Sequence, residues 1–471
     1  MKKLSQEDIE KLFQLYRNED YEHAKILAQS LLQDYPDHPF ILKVISSLLN
    51  KEGLFEESLI IYKKLIFLNP DDFELHFNYA NVLHKLKRLP SAEKSYRKAI
   101  SLNPNFADAY CNLGVVEHEL EKLKEAELNL LKAINVNKDF TFAYYNLGNV
   151  LRGLTRYEEA KNMYLQAIDL KNDYTEAFNN LALTYKDLGN YQEAINWNKR
   201  AIEIMPTNYK AYNNLGSIYN YLGKLEDAID CYKKVNSSIK PDNLESQQLQ
   251  LEAQHLLSAL EGKTTSRPPR EYVERLFDQY AINFENNLVN ELEYNAHKLI
   301  TDLLIKRFSN KSLGSVLDLG CGTGLVGEQI SGFAKKIIGV DISCKMIQKA
   351  ELKNIYDRLF VEDIVTYLKN ENIDFDVFIS TDVFIYIGDV EEIFNLIKTR
   401  NKSGGKFAFT TEHNIKSTGF KLETSGRYSH SKEYIESLCK KFNFNMIFFE
   451  KFKLRKEKND YINGGLYLLD F

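Results

Sequence analysis

Over the first half of the chain, apolar residues recur at three- and four-residue spacing, interrupted by short polar turns. That is the pattern of helices with one buried face. Beyond Pro268 and Pro269 the period changes. Short apolar runs now alternate with helical stretches, which predicts an α/β sheet. Strands are expected at 315–319, 337–340, 359–361, 376–380 and 406–410, with helices between them. Two last apolar runs, 445–452 and 465–470, are joined by a short polar stretch and predict a terminal hairpin.

The helical half repeats itself. Pro36, Pro70, Pro104, Lys138, Asn172 and Pro206 follow one another at steps of 34 residues. Ala126, Ala160, Ala194 and Ala228 keep the same step, as do Ala99, Ala133, Ala167 and Ala201. Gly114, Gly148 and Gly216 share one register, with Ala182 between them. Small residues are needed where two helices of a hairpin cross closely, since a larger side chain would push the backbones apart. One such hairpin cannot bury its apolar face alone, so it stacks on the next. With this period and these residues, 5–242 resembles the tetratricopeptide repeat (TPR) family. The resemblance implies an all-α solenoid of about seven helix hairpins, starting near 5, 39, 73, 107, 141, 175 and 209. The first two are the least regular: Ser46, Ser58 and Leu65 stand where small residues are usual. Residues 244–261 read as a capping helix, and the breaker cluster 262–270 as a boundary. The expected organisation is a solenoid over 1–243, a cap and linker over 244–270, and a second domain over 271–471.

Composition narrows the class. A length of 471 residues with 44% apolar and 27% charged residues describes a folded, water-soluble chain of several units. The net charge of −5 gives no reason to expect nucleic acid. Five scattered cysteines have no zinc spacing, and no metal site is expected. No signal peptide or membrane-length apolar run is evident, so a cytoplasmic location and no membrane association are expected.

The strongest chemical signal is Val316-Leu317-Asp318-Leu319-Gly320-Cys321-Gly322-Thr323-Gly324. An apolar strand ends in an acid, then glycine recurs at every second place, then a helix begins. Glycine lets backbone approach a ligand closely. The next strand ends at Asp341, whose carboxylate can accept both hydroxyls of a ribose, and the third ends at Glu362-Asp363. The segment Gly322-Thr323-Gly324-Leu325-Val326-Gly327 also satisfies the dinucleotide fingerprint G-x-G-x-x-G. Against a nicotinamide enzyme stand the charge of Asp318, awkward for a pyrophosphate, and the terminal hairpin in place of a sixth parallel strand. Residues 290–471 resemble the class I S-adenosylmethionine (SAM)-dependent methyltransferases, which implies a Rossmann-like, mostly parallel seven-stranded sheet with SAM as cofactor.

That resemblance assigns Gly320, Gly322, Gly324 and Asp318 to the methionine end of SAM. It assigns Asp341 to the ribose, Asp363 to the adenine amino group and Ile364 to the adenine face. Two stretches resemble a narrower group, predicted TPR-containing methyltransferases of bacteria. Residues 276–284, with Phe277, Tyr280 and Phe284 and with Tyr294 downstream, would form an N-terminal helical lid over the cofactor, or simply core. The other is Gly426-Arg427-Tyr428-Ser429-His430-Ser431 on the substrate side. Methyl transfer needs a base only where the acceptor must lose a proton. The candidates are Asp382, His413, Tyr428 and His430.

The repeats carry a second motif. Asn78, Asn112, Asn146, Asn180 and Asn214 are 34 residues apart and fall on one position of successive first helices. An amide ladder on a concave face can pair with a peptide backbone, because each amide both donates and accepts. Tyr145, Asn149, Asn179, Asn213 and Asn220 are expected on the same face. The leading expectation is therefore a SAM-dependent methyltransferase whose repeats recruit a protein or peptide. The alternatives are an enzyme acting on a small molecule or glycan precursor, with repeats used for assembly, and a scaffold whose SAM-binding domain is inert.

Overall fold

Close helix crossings set the register of the repeats. A Cβ on Gly148 would lie 2.6 Å from the Tyr164 ring, and one on Gly216 2.7 Å from that of Tyr232. The structure, a computed structural model, describes residues 4–238, 243–281, 284–308, 312–415, 418–457 and 460–471. Ile282 and Asn283, within the expected lid stretch, lie outside the described residues. The chain divides into two compact units, 1–206 and 207–471.

Among the described residues of the first unit, twelve helices run from Gln6–Arg17 to Tyr191–Ile204, and Pro39, Phe73, Ala107, Thr141 and Thr175 each open a hairpin. The turns inside the hairpins keep the same period. Glu19, Gly53, Lys87, Glu121, Thr155 and Gly189 all have positive φ. The alanines of the repeat register, Ala92, Ala99, Ala126, Ala133, Ala160 and Ala167, are fully buried.

The second unit opens with the helices Tyr209–Tyr221, Leu225–Ser238 and Leu244–Leu260 and continues into one nine-stranded sheet. Its strands are β1 (Gly314–Leu319), β2 (Ala334–Asp341), β3 (Arg358–Val361), β4 (Val377–Ser380), β5 (Lys406–His413), β6 (Phe420–Leu422), β7 (Tyr428–His430), β8 (Asn445–Glu457) and β9 (Asp460–Asp470). The order β3-β2-β1-β4-β5 is parallel. Strand β9 joins β5 antiparallel, and β8 joins β9 antiparallel. These are the seven strands expected. Two short ones, β6 and β7, add a hairpin with no apolar run to announce it. Glu412 on β5 pairs with Gly464 of β9 on one side and Ser429 of β7 on the other. Strand β7 therefore lies on the β4 side of β5, just past the end of β4.

Strand alternation splits the core. Leu317, Phe378, Phe407 and Phe409 pack in one cluster with Ile364, Ile393 and Ile435 from three helices, while Val316, Val377 and Ala408 pack in another with Ile300, Leu304 and Val326. Every parallel strand then delivers its carboxyl end to one edge of the sheet, where open α/β sheets bind ligands.

Candidate active site

The turn after β1 crosses tightly beneath the start of the β4 loop. Gly320 has φ +76°, and a Cβ there would lie 2.2 Å from Val383 Cγ2, so only glycine fits. The Gly320 and Cys321 amides donate to the Val340 carbonyl at 2.7 and 3.0 Å, fastening the turn to β2. The Gly322 amide donates to Asp341 Oδ2 and the Ser343 amide to Asp341 Oδ1, each at 2.9 Å. Asp341 is thereby fixed at the end of β2 with a spare lone pair on each oxygen. Burial pushes its carboxyl up to about 6, against the pull of the Ser343 and Gly322 amides.

These groups line a cavity of about 710 Å³. Of the residues expected at the cofactor, Gly320, Gly322, Asp341, Asp363, Ile364 and Tyr280 line it. Asp363 caps the helix Ile364–Asn370 through Oδ1, which accepts from the Val365 and Thr366 amides at 3.0 and 3.1 Å. Its Oδ2 has no partner among the described residues. Asp318 and Gly324 sit behind the turn instead. Asp318 is fully buried and accepts from the Tyr356 hydroxyl at 2.7 Å, and its Oδ1 is unpartnered. Burial pushes its carboxyl up to about 7. The residues present fit a nucleoside cofactor: two carboxylates with free acceptor positions, an apolar flank at Ile364, and a turn that admits close approach.

The helix Arg270–Tyr280 covers the cavity, and none of its residues is fully buried. Asp278 accepts from the Ser343 hydroxyl at 2.5 Å. Glu285 accepts from the Thr323 hydroxyl at 2.6 Å and pairs with Lys353 at 2.8 Å. Phe277 sets its ring edge against Tyr386 and Phe284, with centroids 5.0 and 6.3 Å away. Two carboxylates on the covering segment thus tie it to the turns after β1 and β2.

Asp382, in the β4 loop, also lines the cavity, but as half of an ion pair. Arg455 Nη1 lies 2.9 and 3.1 Å from its two oxygens, and Arg455 Nη2 bonds Glu412. Arg427 donates from Nε to Glu412 at 3.1 Å and from Nη2 to Glu457 at 2.5 Å. The other candidate bases do not reach the cavity. The sequence reading ends the fifth strand at Thr410, yet β5 continues to His413. Alternation then sends Glu412 towards Arg455, and His413 to the other face beside Phe449, 5.7 Å between rings. Tyr428 is buried with its hydroxyl 2.6 Å from that of Thr265. His430 is buried with Nε2 2.8 Å from the Gly388 carbonyl, and burial pushes its imidazole down to about 4. Residues the sequence does not single out, Arg455, Glu412, Tyr272, Tyr386 and His297, are the ones the structure brings to this region. Only the extra length of β5 and β8 would have exposed Glu412 and Arg455.

In the repeats, the asparagines bond one another. Asn112 donates to Asn81 at 3.0 Å and Asn180 to Asn149 at 2.8 Å, while the Tyr96 and Tyr164 hydroxyls donate to those same acceptors. Asn146 donates to the Phe142 carbonyl of its own helix at 2.7 Å. Asn78, Asn112, Asn146, Asn180 and Asn214 are all half-buried.

Residues 310–463 match the family model described as a methyltransferase domain. Models for tetratricopeptide repeats match residues 80–120, 107–140, 141–207 and 209–235. The chain is 30% identical over 138 residues to a malonyl-[acyl-carrier protein] O-methyltransferase of Bacillus anthracis, covering 29% of this chain and 48% of the relative. It is 30% identical over 107 residues to a ubiquinone biosynthesis O-methyltransferase of Paraburkholderia phymatum, covering 22% of this chain and 46% of the relative. The chain thus spans about half the length of these relatives. A tetratricopeptide repeat protein from Parabacteroides merdae superposes with a TM-score of 0.45 at 18% identity, covering 53% of this chain and 98% of that one. The chain joins tetratricopeptide repeats to a class I methyltransferase domain, a class whose methyl donor is SAM.

Proposed function

We propose that this protein transfers a methyl group from SAM to an oxygen acceptor, and that its repeats recruit a protein or peptide that carries or delivers that acceptor. One observation carries the reading. The Gly320–Gly322 turn, Asp341 and Asp363 share a single cavity with Asp382, Arg427 and Arg455. Oxygen is favoured as acceptor because both relatives described above are named O-methyltransferases. SAM supplies a methyl group on a sulfonium that is already electrophilic. The chain's part is then to orient and to exclude water. Asp341 and Asp363 would hold the ribose and adenine, the helix Arg270–Tyr280 would keep bulk water out, and the acceptor would lie towards Tyr386 and Arg427.

A small-molecule acceptor, with repeats serving assembly, is the second reading. The asparagine pairs within the solenoid favour it, because amides spent on each other have fewer donors left for a peptide. Calorimetry of the full chain with SAM and with NADH tests the cofactor. Tritiated SAM with host lysate tests the rest: label in acid-precipitable protein supports recruitment, and label confined to small metabolites sinks it.

A further inference from the structure

The acceptor half of the cavity is rich in hydrogen-bond donors that nothing in the protein uses. Arg427 is held from behind through Nε and Nη2, and its Nη1 has no partner among the described residues. The Tyr386 and Tyr272 hydroxyls line the same wall and also have none. The rings of Tyr272, Tyr280 and Tyr386 and the charges of Arg427 and Arg455 are neighbours there. Arg270, exposed at the rim, also lines the cavity. Burial raises both phenols, so they stay protonated donors at neutral pH.

The two carboxylates beside Arg455 are not free bases. Asp382 and Glu412 are both ion-paired with Arg455. His297 lines the cavity as well, stacked on Tyr294 with ring centroids 5.5 Å apart and Nδ1 unpartnered among the described residues. An acceptor that must lose a proton would have neither of these carboxylates free to take it. An acceptor that is already an anion needs no base.

We propose that Arg427, Tyr272 and Tyr386 form an acceptor subsite for a carboxylate, whose own oxygen receives the methyl group. The inference rests on the methyltransferase reading above. An oxygen lone pair of the carboxylate forms the new O–CH3 bond, and the C–S bond of the donor breaks with its electron pair kept by sulfur. The carboxylate carries no proton, so none is released, and the product is a methyl ester. The guanidinium and two phenols supply hydrogen-bond donors of the kind a carboxylate accepts from.

The test uses the full chain, tritiated SAM and host lysate, followed by mild alkali. A methyl ester hydrolyses to volatile labelled methanol, whereas N- and ether O-methyl groups persist. Ester label in acid-soluble material identifies a small acid, and ester label in precipitated protein a side-chain or terminal carboxylate; either supports the proposal. Arg427→Gln is expected to cut ester formation by more than about tenfold, because a charge-assisted hydrogen bond is lost. Tyr386→Phe, which removes one hydroxyl and no ion pair, is expected to lower it several-fold. SAM affinity by calorimetry is expected to stay within about twofold of wild type in both, since neither contacts the carboxylates at the nucleoside end. Alkali-stable label, no label while SAM still binds, or both variants at wild-type turnover would overturn the proposal. Failure to bind SAM at all would instead overturn the methyltransferase reading.

Discussion

Arg455 reaches both oxygens of Asp382, at 2.9 and 3.1 Å, from a position only 4% exposed to solvent. Its second terminal nitrogen bonds Glu412, itself 5% exposed. A buried guanidinium shared between two carboxylates binds the end of β5 to the β4 loop. It also leaves both Asp382 oxygens engaged with Arg455.

Removing that arginine should therefore harm the fold before it harms any chemistry. Arg455→Met leaves Asp382 without its partner and Glu412 with Arg427 alone, and breaking a buried pair typically costs about 3–5 kcal/mol. The expected result is a loss of that order in chemical denaturation of the second unit's transition. Adding Glu412→Gln should restore part of it, because one of the stranded charges is gone. A loss below about 1 kcal/mol for Arg455→Met would mean the pair is open to water.

Asp341 makes SAM affinity depend on pH. Its carboxyl stands at about 6 without ligand, and only the ionised form accepts from two hydroxyls at once. Affinity should be level above about pH 7 and fall as pH drops through 6, by at most about tenfold per unit. Asp341→Ala should weaken binding by roughly a hundredfold, two charge-assisted bonds being lost. The stability sign runs the other way. A folded carboxyl raised above its unfolded value of about 4 holds its proton longer than the unfolded chain does. The ligand-free unit should thus lose stability as pH rises from about 4 through 6. Calorimetric titrations and thermal melts across that range check both signs.

The periodic part of this structure was legible because it is carried by spacing. Hairpin starts near 39, 73, 107, 141 and 175 coincide with helices opening at Pro39, Phe73, Ala107, Thr141 and Thr175. The glycine turn and Asp341 were legible because strand, turn and acid are contiguous in the chain. What could not be read was contact across the sheet. Arg455 and Asp382 are 73 residues apart, and nothing local in either marks the pair. The strands β6 and β7 have three residues each, too short for an alternation to show. Nothing near Asp318 in the chain announces that Tyr356, 38 residues on, donates to its Oδ2.

The left-handed turns offer a stability test in the first unit. Thr155 holds φ +60° where Gly53 and Gly189 occupy the equivalent turns. A β-branched residue in that region is strained by about 1–2 kcal/mol. Thr155→Gly relieves the strain, while the more flexible unfolded chain takes back roughly 0.5–1 kcal/mol. The lost hydroxyl bond to the Leu154 carbonyl is exposed and should count for little. The expected net is a stabilisation of about 0.5–1 kcal/mol, seen as a higher denaturation midpoint. A lower midpoint would show that the turn is relaxed with threonine.

The last prediction concerns where the repeats can be cut. The turn between β6 and β7 carries Ser425 and Arg427 into the cavity wall. It is held by two bonds from helices that precede the sheet. Asn220 donates to the Thr424 carbonyl at 2.9 Å, and His255 Nε2 lies 2.9 Å from the Gly426 carbonyl. Gly426 has φ +79°, and a Cβ there would come within 2.8 Å of Leu256, so the turn is fitted to that helix. Asn220 belongs to the helix Tyr209–Tyr221, the first of a repeat hairpin, yet that helix lies in the same compact unit as the sheet. A chain lacking residues 1–206 should stay folded and keep SAM affinity and acceptor KM, if the acceptor is a small acid. A chain lacking 1–243 loses Asn220 and should show a higher acceptor KM whatever the acceptor is. Comparing the two deletions separates recruitment by the repeats from support of the turn. Equal kinetics in both would mean that Asn220 holds nothing the reaction needs.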